Sequence, residues 1–216
     1  MKTISILGDS YSTYSGWIPA DYKYWYTDTG NECENNVSSV EQTWWRKLCK
    51  ELNLQLIDNC SYSGSTVCNT GYDGADASDT SFIHRMKREL GENREPGKQP
   101  DILLVFGATN DYWAGSPIGS PQYENWDAAS LKQFAPAFCY LFHYLRKWNP
   151  QSKIYSIVND ELSDEYRDVM NQIADQYGIQ QVLLHDIEKE NGHPNVNGMK
   201  EIKNQLINPI SDACCN

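Results

Sequence analysis

The sequence predicts an α/β protein in which a five-stranded parallel sheet carries helices on both faces. Short apolar runs alternate with segments of helical periodicity along the 216 residues, as expected for strands joined by helical crossovers. The clearest run, residues 101–106, is apolar on both faces, which is typical of a central parallel strand. The chain has no internal repeat and no composition shift that would mark a boundary, so we predict one domain over residues 1–216.

The individual elements follow from apolar periodicity and from the turn residues between the runs. Strands are predicted at residues 4–7, 54–58, 101–106, 153–158 and 181–184, and helices at residues 41–52, 82–90, 128–148, 161–177 and 195–207. Pro136 is expected to kink or split the third of these helices. Longer segments are predicted as loops at residues 11–30, 59–78, 107–126 and 186–194.

Composition excludes several classes of function. The formal net charge is −11 and the sequence has no basic cluster, which argues against nucleic acid and anionic membrane surfaces as partners. No apolar run is long enough to span a bilayer. The first strand follows Met1-Lys2-Thr3 without a secretory h-region, so we expect a cytoplasmic protein unless a leader has been removed. The seven cysteines form no Cys-x-x-Cys pair, and the adjacent Cys214 and Cys215 are expected to be free thiols.

Polar groups that do not suit a core follow three of the predicted strands and occupy one late loop. They are Ser10, residues 59–66, residues 107–111 and His193. Because parallel strands end at one edge of an open sheet, we expect these groups to lie together. A serine hydroxyl needs a base to take its proton, and histidine is the usual base. Glycine N–H groups and asparagine amides are suitable oxyanion donors, so the pattern favours acyl transfer.

Four short motifs in this set resemble those of the SGNH (GDSL-type) serine hydrolases. They are Gly8-Asp9-Ser10, Ser63-Gly64-Ser65-Thr66, Asn110-Asp111 and His193-Pro194-Asn195, in family order. The resemblance implies a flavodoxin-like three-layer α/β/α sandwich that needs no metal or cofactor. It also implies Ser10 as nucleophile, His193 as base, and an oxyanion hole made by the Ser10 N–H, the Gly64 N–H and the Asn110 side chain.

The sequence departs from the family pattern at two positions. The last motif usually reads Asp-x-x-His, whereas Glu190 occupies the acidic position here. We therefore expect Glu190 to orient His193, with Asp186 or a backbone carbonyl as the alternatives. The third motif usually has glycine two residues before the asparagine, and Ala108 stands there instead, so the turn that places Asn110 is expected to differ slightly.

Aromatic residues are concentrated after the first motif and near the third. Tyr11, Tyr14, Trp17 and Trp113 are candidates for the substrate pocket, with Trp25 as a further one, although such residues also serve to pack a loop onto its domain. The expected activity is that of a serine esterase acting on small acyl esters, including acetyl groups on carbohydrate. A thioesterase or lysophospholipase using the same residues is the alternative enzyme, and an inactive glycan-binding protein is the alternative class.

Overall fold

The computed structural model describes residues 1–29, 35–91, 94 and 99–214. Its main sheet has five parallel strands in the order β2-β1-β3-β4-β5. These strands are β1 (Thr3–Gly8), β2 (Gln55–Asn59), β3 (Ile102–Phe106), β4 (Lys153–Val158) and β5 (Gln180–Leu183). All five lie within two residues of the predicted strands, since each is an apolar run bounded by turn residues.

In the described part of the chain, six α-helices accompany the sheet. They are α1 (Trp44–Glu51), α2 (Phe82–Leu90), α3 (Thr109–Ala114), α4 (Phe134–Trp148), α5 (Asp164–Tyr177) and α6 (Val196–Cys214). Helices α2, α4 and α5 pack on one face of the sheet, and α1 and α6 pack on the other. Central strand β3 contributes to both cores, because Leu103 and Val105 face the first layer while Leu104 and Phe106 face the second. The result is the predicted three-layer arrangement.

Three segments differ from the sequence prediction. Residues 107–126 contain α3, which is too short to show helical periodicity, and Gly115 ends it with a left-handed φ of 64°. Residues 186–194 contain a two-stranded antiparallel hairpin formed by β6 (Lys189–Glu190) and β7 (His193–Pro194). Helix α6 runs beyond residue 207 because Ile210 and Ala213 continue its buried stripe.

The predicted helix over residues 128–148 is interrupted at Gln133, and the kink or split expected at Pro136 itself is absent. A 3-10 turn, Ser130–Lys132, precedes α4. Pro136 lies in the first turn of α4, where a backbone N–H would have no partner within the helix. The helix itself therefore continues without a break to Trp148.

The sheet order brings the ends of three strands together. Strand β1 lies between β2 and β3, so the segments that leave these strands are neighbours at one edge. None of the helices in the described ranges is long and apolar enough to cross a membrane. Cys214 Sγ lies 3.4 Å from the Ile210 carbonyl, and Cys215 lies outside the described residues, so the free thiols expected at these two positions stay a prediction.

Candidate active site

The turn after β1 presents Ser10 at the edge of the sheet. Strand β1 ends at Gly8, and a 3-10 turn over Ser10–Ser12 follows it. Asp9 caps this turn, since its Oδ1 accepts a hydrogen bond from the Tyr11 N–H at 3.0 Å. Glycine is required at position 8 by close packing, because a Cβ there would lie 2.6 Å from Ser61 Oγ and 2.7 Å from Ser12 Oγ.

Ser10 and His193 are in direct contact although 183 residues separate them. The distance from Ser10 Oγ to His193 Nε2 is 2.9 Å, and both residues are buried. On the other side of the ring, Nδ1 lies 3.0 Å from the carbonyl oxygen of Asn191. A carbonyl can only accept, so Nδ1 must carry the hydrogen of a neutral ring. Nε2 is then left with a lone pair toward the Ser10 hydroxyl, which is the tautomer that a general base needs.

The hairpin of β6 and β7 determines where His193 stands. Asn191 and Gly192 form its two-residue turn with φ values of 49° and 73°, the left-handed pair required at the centre of a type I′ turn. The Tyr11 hydroxyl donates to the Gly192 carbonyl at 2.6 Å, and the Tyr26 hydroxyl donates to the Pro194 carbonyl at 2.8 Å. Two buried phenols therefore hold the hairpin against the nucleophile turn.

The carboxylate expected behind His193 is not placed there. Glu190 pairs with His193 across the hairpin, but its carboxylate accepts from Asn195 Nδ2 and from the Asn36 N–H, each at 3.3 Å. Asp186 is exposed and lies 3.1 Å from His185 Nδ1. The Asn191 carbonyl is the partner of Nδ1 among the described residues, which matches the third alternative from the sequence, a backbone carbonyl that orients His193.

Four aromatic rings surround the His193 imidazole, and we call them the aromatic cluster. Trp25 stacks on the imidazole with centroids 3.6 Å apart and planes 7° apart. Tyr11, Trp113 and Tyr26 approach it edge-on at 5.4, 6.0 and 6.5 Å. Burial lowers the pKa of His193 to about 4; the Asn191 carbonyl opposes this shift and the Lys189 charge adds to it. The imidazole is therefore neutral at pH 7.

Lys189 is the cation that faces this part of the site. Its Nζ pairs with Asp160 and lies 3.0 Å from Glu161 Oε1 and 3.2 Å from Asn159 Oδ1. These three residues follow β4, so the ion pairs tie the hairpin to the end of a second central strand. Within the described ranges, the hydrogen-bond partners of the His193 ring are the Asn191 carbonyl and the Ser10 hydroxyl, and no carboxylate is among them.

Asn110 lies in the first turn of α3, directly after β3. Ala108 precedes this helix with a φ of 78°, the left-handed conformation that glycine adopts without cost. The alanine thus adopts a backbone conformation that favours glycine, and the expected difference in this turn stays a prediction. Asp111 anchors the turn, as its carboxylate accepts from the Val67 N–H at 2.7 Å and the Cys68 N–H at 3.1 Å.

Gly64 lies in the segment that leaves β2 and also adopts a left-handed φ, of 82°. A fully buried guanidinium braces this segment. Arg85 Nη2 donates to Ser65 Oγ at 2.8 Å, Nη1 donates to the Cys60 carbonyl, and Nε donates to the Thr80 carbonyl at 3.0 Å. Helix α2 therefore stabilises the backbone around Gly64 through the hydrogen bonds of Arg85.

Two buried carboxyl groups, those of Asp9 and Asp111, belong to the turns that carry Ser10 and Asn110. Burial raises the pKa of Asp9 to about 7 and that of Asp111 to about 6, while the hydrogen bonds to each carboxylate and, for Asp9, the charge of Arg85 act in the opposite direction. Asp9 Oδ2 has no hydrogen-bond partner among the described residues. Both groups support turns by accepting backbone N–H bonds.

The aromatic residues predicted for a substrate pocket have different roles. Tyr11 and Tyr14 are 1% and 2% exposed, which keeps them from contacting a substrate. Trp17 is exposed but stacks between Trp45 and Arg46, beside a cavity that Ser10 does not line. Trp113 is the one of the four that is both exposed, at 37%, and next to His193.

The sequence did not predict the roles of three residues that shape the site. Trp25 was considered for the pocket, but it stacks on the base. Arg85 was missed although an arginine on the apolar face of α2, beside Phe82 and Met86, is an unusual pattern. Tyr72 donates to Asn110 Oδ1 at 2.7 Å, and no local signal in its polar loop indicated this contact.

Comparison with known proteins places this geometry in a family. The family model of GDSL-like lipase/acylhydrolase matches residues 2–210. The chain belongs to this family. Membership of the GDSL-like family makes the chain an ester hydrolase by class and confirms the resemblance found in the four motifs. The comparison with curated proteins gave no match.

Solved structures of GDSL-like proteins share the same fold. One, assigned as a GDSL-like lipase from Bacteroides uniformis, is 50% identical with a TM-score of 0.92, and the match covers 98% of this chain and 96% of that chain. Another, with the same assignment from Bacteroides ovatus, is 43% identical with a TM-score of 0.92, covering 98% and 99%. A family two carbohydrate esterase from Clostridium thermocellum in complex with cellohexaose is 15% identical with a TM-score of 0.65, covering 99% and 65%. That last likeness concerns the fold alone.

The described residues were searched for side chains that could bind a metal ion. Among the ranges that the structure describes, no group of three or more His, Cys, Asp or Glu side chains could hold an ion.

Proposed function

We propose that this protein is a serine esterase that forms an acyl-enzyme on Ser10. The observation that carries the proposal is the 2.9 Å contact between Ser10 Oγ and His193 Nε2, with Nδ1 held by the Asn191 carbonyl. This contact supplies a nucleophile and a base in the correct tautomer. Membership of a lipase/acylhydrolase family supports an ester as the substrate.

The reaction follows from these groups. Ser10 Oγ attacks the ester carbonyl carbon while His193 Nε2 takes the hydroxyl proton. The oxyanion is held by the Ser10 N–H, the Gly64 N–H and the Asn110 amide, which come from the ends of three adjacent strands. The intermediate collapses, and Nε2 returns the proton to the leaving alkoxide. Water then attacks the acyl-enzyme with the same base, releasing the acid and free Ser10.

The imidazolium formed in these steps is stabilised without a carboxylate partner. The Asn191 carbonyl accepts from Nδ1–H more strongly when the ring is charged. The face of Trp25, stacked at 3.6 Å, adds a cation–π attraction that reaches about 2 kcal/mol at desolvated sites. Together they offset part of the burial that disfavours the charged ring.

Small acyl esters of carbohydrate are the substrates we propose. The exposed ring of Trp113 beside His193 offers an apolar face to a sugar ring. The shared fold with a carbohydrate esterase bound to cellohexaose is compatible with such a substrate. A thioesterase or lysophospholipase using the same residues remains the alternative, and a preference for long acyl chains across an ester series would favour it.

The Ser10→Ala variant tests the activity. We expect hydrolysis of p-nitrophenyl acetate to fall by at least about 10³-fold, because the oxyanion donors and binding alone retain only a small residual rate. A serine-directed phosphonate should label the parent protein at Ser10 and leave the variant unlabelled. Full activity in Ser10→Ala would contradict the proposal, and binding of a glycan without turnover of any ester would favour an inactive binding protein.

A further inference from the structure

Asn110 has one polar partner among the described residues and one orphaned donor. Its Oδ1 accepts from the Tyr72 hydroxyl at 2.7 Å. Its Nδ2 is buried without a hydrogen-bond partner in this part of the structure, and the residue as a whole is 2% exposed. A buried amide N–H left unpaired costs free energy. An oxyanion that accepts a hydrogen bond from the Asn110 amide would recover part of this cost.

We propose that Tyr72 is a positioning residue that orients the Asn110 amide for the oxyanion. An asparagine side chain presents oxygen at one end and nitrogen at the other, and rotation by 180° exchanges them. The Tyr72 hydroxyl donates to the oxygen end, which commits the nitrogen end to the remaining direction. This inference rests on the proposed function, since it assigns a support to one of that site's donors.

The segment that carries Tyr72 is built to hold the phenol in place. Tyr72 begins a 3-10 turn, Tyr72–Gly74, that is closed by the Gly71 N–H bond to the Ala75 carbonyl at 2.8 Å. At its start, the Thr70 hydroxyl donates to the Lys132 carbonyl at 2.7 Å, and Ser116 Oγ donates to the Thr70 carbonyl at 2.9 Å. Hydrogen bonds to both flanks thus limit the motion of the phenol relative to Asn110.

The Tyr72 hydroxyl remains a donor throughout the working pH range. Burial raises its pKa to about 12, and the nearby charges of Asp9 and Asp111 act in the same direction. A hydrogen bond to an amide oxygen also polarises the amide and strengthens its N–H as a donor. Tyr72 therefore acts on Asn110 in two ways, by fixing its orientation and by strengthening its N–H donor.

The ring of Tyr72 is 42% exposed, so a substrate could also touch it. The two roles predict different kinetics. A positioning role through Asn110 lowers kcat and leaves KM within about 2-fold, because the oxyanion exists only after attack. A binding role raises KM and leaves kcat unchanged.

The test is a double-mutant cycle on p-nitrophenyl acetate hydrolysis. We expect Tyr72→Phe to lower kcat by about 3- to 10-fold, the worth of one neutral hydrogen bond. Asn110→Ala should lower it by about 10²-fold or more. In the Asn110→Ala background, Tyr72→Phe should cost less than about 2-fold, because the group it orients is gone. The inhibition constant of a boronic acid, which forms a tetrahedral adduct, should rise with Tyr72→Phe by the same factor as kcat falls.

Tyr112→Phe is the matched control. Tyr112 lies two residues from Asn110 in α3, is 38% exposed, and packs its ring edge-on against Tyr166 at 5.6 Å. The kcat of Tyr112→Phe should match that of the parent. The thermal unfolding midpoints of Tyr72→Phe and Tyr112→Phe should both stay within about 2 °C of the parent midpoint.

Three results would overturn the inference: a Tyr72→Phe variant as active as the control, equal losses in the two backgrounds of the cycle, or an effect on KM alone. Each of these leaves the proposed function intact if Ser10→Ala is inactive. An active Ser10→Ala variant would instead contradict the proposed function, whatever the result at Tyr72.

Discussion

Neutralising Glu190 distinguishes a backbone-oriented dyad from a triad. In a triad, replacing the carboxylate by an amide leaves the imidazole in the wrong tautomer and lowers kcat by about 10⁴-fold. In this structure the Glu190 carboxylate accepts from Asn195 and Asn36 at 3.3 Å, and His193 Nδ1 is bound to the Asn191 carbonyl. Glu190→Gln keeps one acceptor oxygen and loses at most one long hydrogen bond away from the reacting atoms.

The expected effect is therefore small. A hydrogen bond of ordinary length contributes about 0.5–1.5 kcal/mol to stability, and a 3.3 Å bond on a partly exposed carboxylate belongs at the lower end. We expect kcat/KM of Glu190→Gln to stay within about 3-fold of the parent and the unfolding midpoint to fall by no more than about 3 °C. More than three orders of magnitude separate this result from the triad prediction.

The assay is p-nitrophenyl acetate hydrolysis with purified variants of equal thermal stability. Asp186→Asn is the control, since it neutralises an exposed carboxylate of the same loop that contacts His185 alone. His193→Ala gives the floor of activity. If Glu190→Gln loses more than about 100-fold while remaining folded, the carboxylate reaches His193 during the reaction and the dyad interpretation is refuted.

Two further predictions concern the base itself. Burial lowers the pKa of His193 to about 4, so the neutral form that accepts a proton persists above that pH. We therefore expect kcat/KM to decline only below about pH 4 to 5. A decline centred near the ordinary histidine pKa of about 6.5 would contradict the burial argument. The Trp25→Leu substitution keeps an apolar group over the imidazole but removes the ring face stacked on it. We expect kcat of this variant to fall about 10- to 30-fold from a loss of about 2 kcal/mol, and kcat of Trp25→Phe to lie between those of Trp25→Leu and the parent. An unchanged kcat in Trp25→Leu would exclude a role for the stack.

Much of the fold was predictable because it depends on local pattern. The run over β3 is apolar on both faces, and in the structure Leu103 and Leu104 indeed face different cores. Helix α3 and the hairpin of β6 and β7 were not predicted, since six residues and two-residue strands show no period. The hairpin did leave one signal, the Asn191-Gly192 pair that type I′ turns require.

The candidate site divides in the same way. Ser10, Gly64, Asn110 and His193 were identifiable from the sequence because each lies in a short motif next to a predicted strand or helix, and parallel strands bring their ends to one edge. Glu190 was expected behind His193 because of its spacing, yet spacing does not determine which acceptor Nδ1 meets.

The sequence by itself thus predicted the layer architecture and the sheet edge at which Ser10 and His193 meet. Only the tertiary structure decided what surrounds the base: a carbonyl at Nδ1, Trp25 stacked on the ring, and a phenol from Tyr72 on Asn110. The physical reason is range. Strand and helix patterns are written in neighbouring residues, whereas the Tyr72 contact joins residues 38 positions apart and the Trp25 stack joins two segments at opposite ends of the chain. The Asn191 carbonyl is close to His193 in sequence, but it meets Nδ1 only because the hairpin turn directs it there.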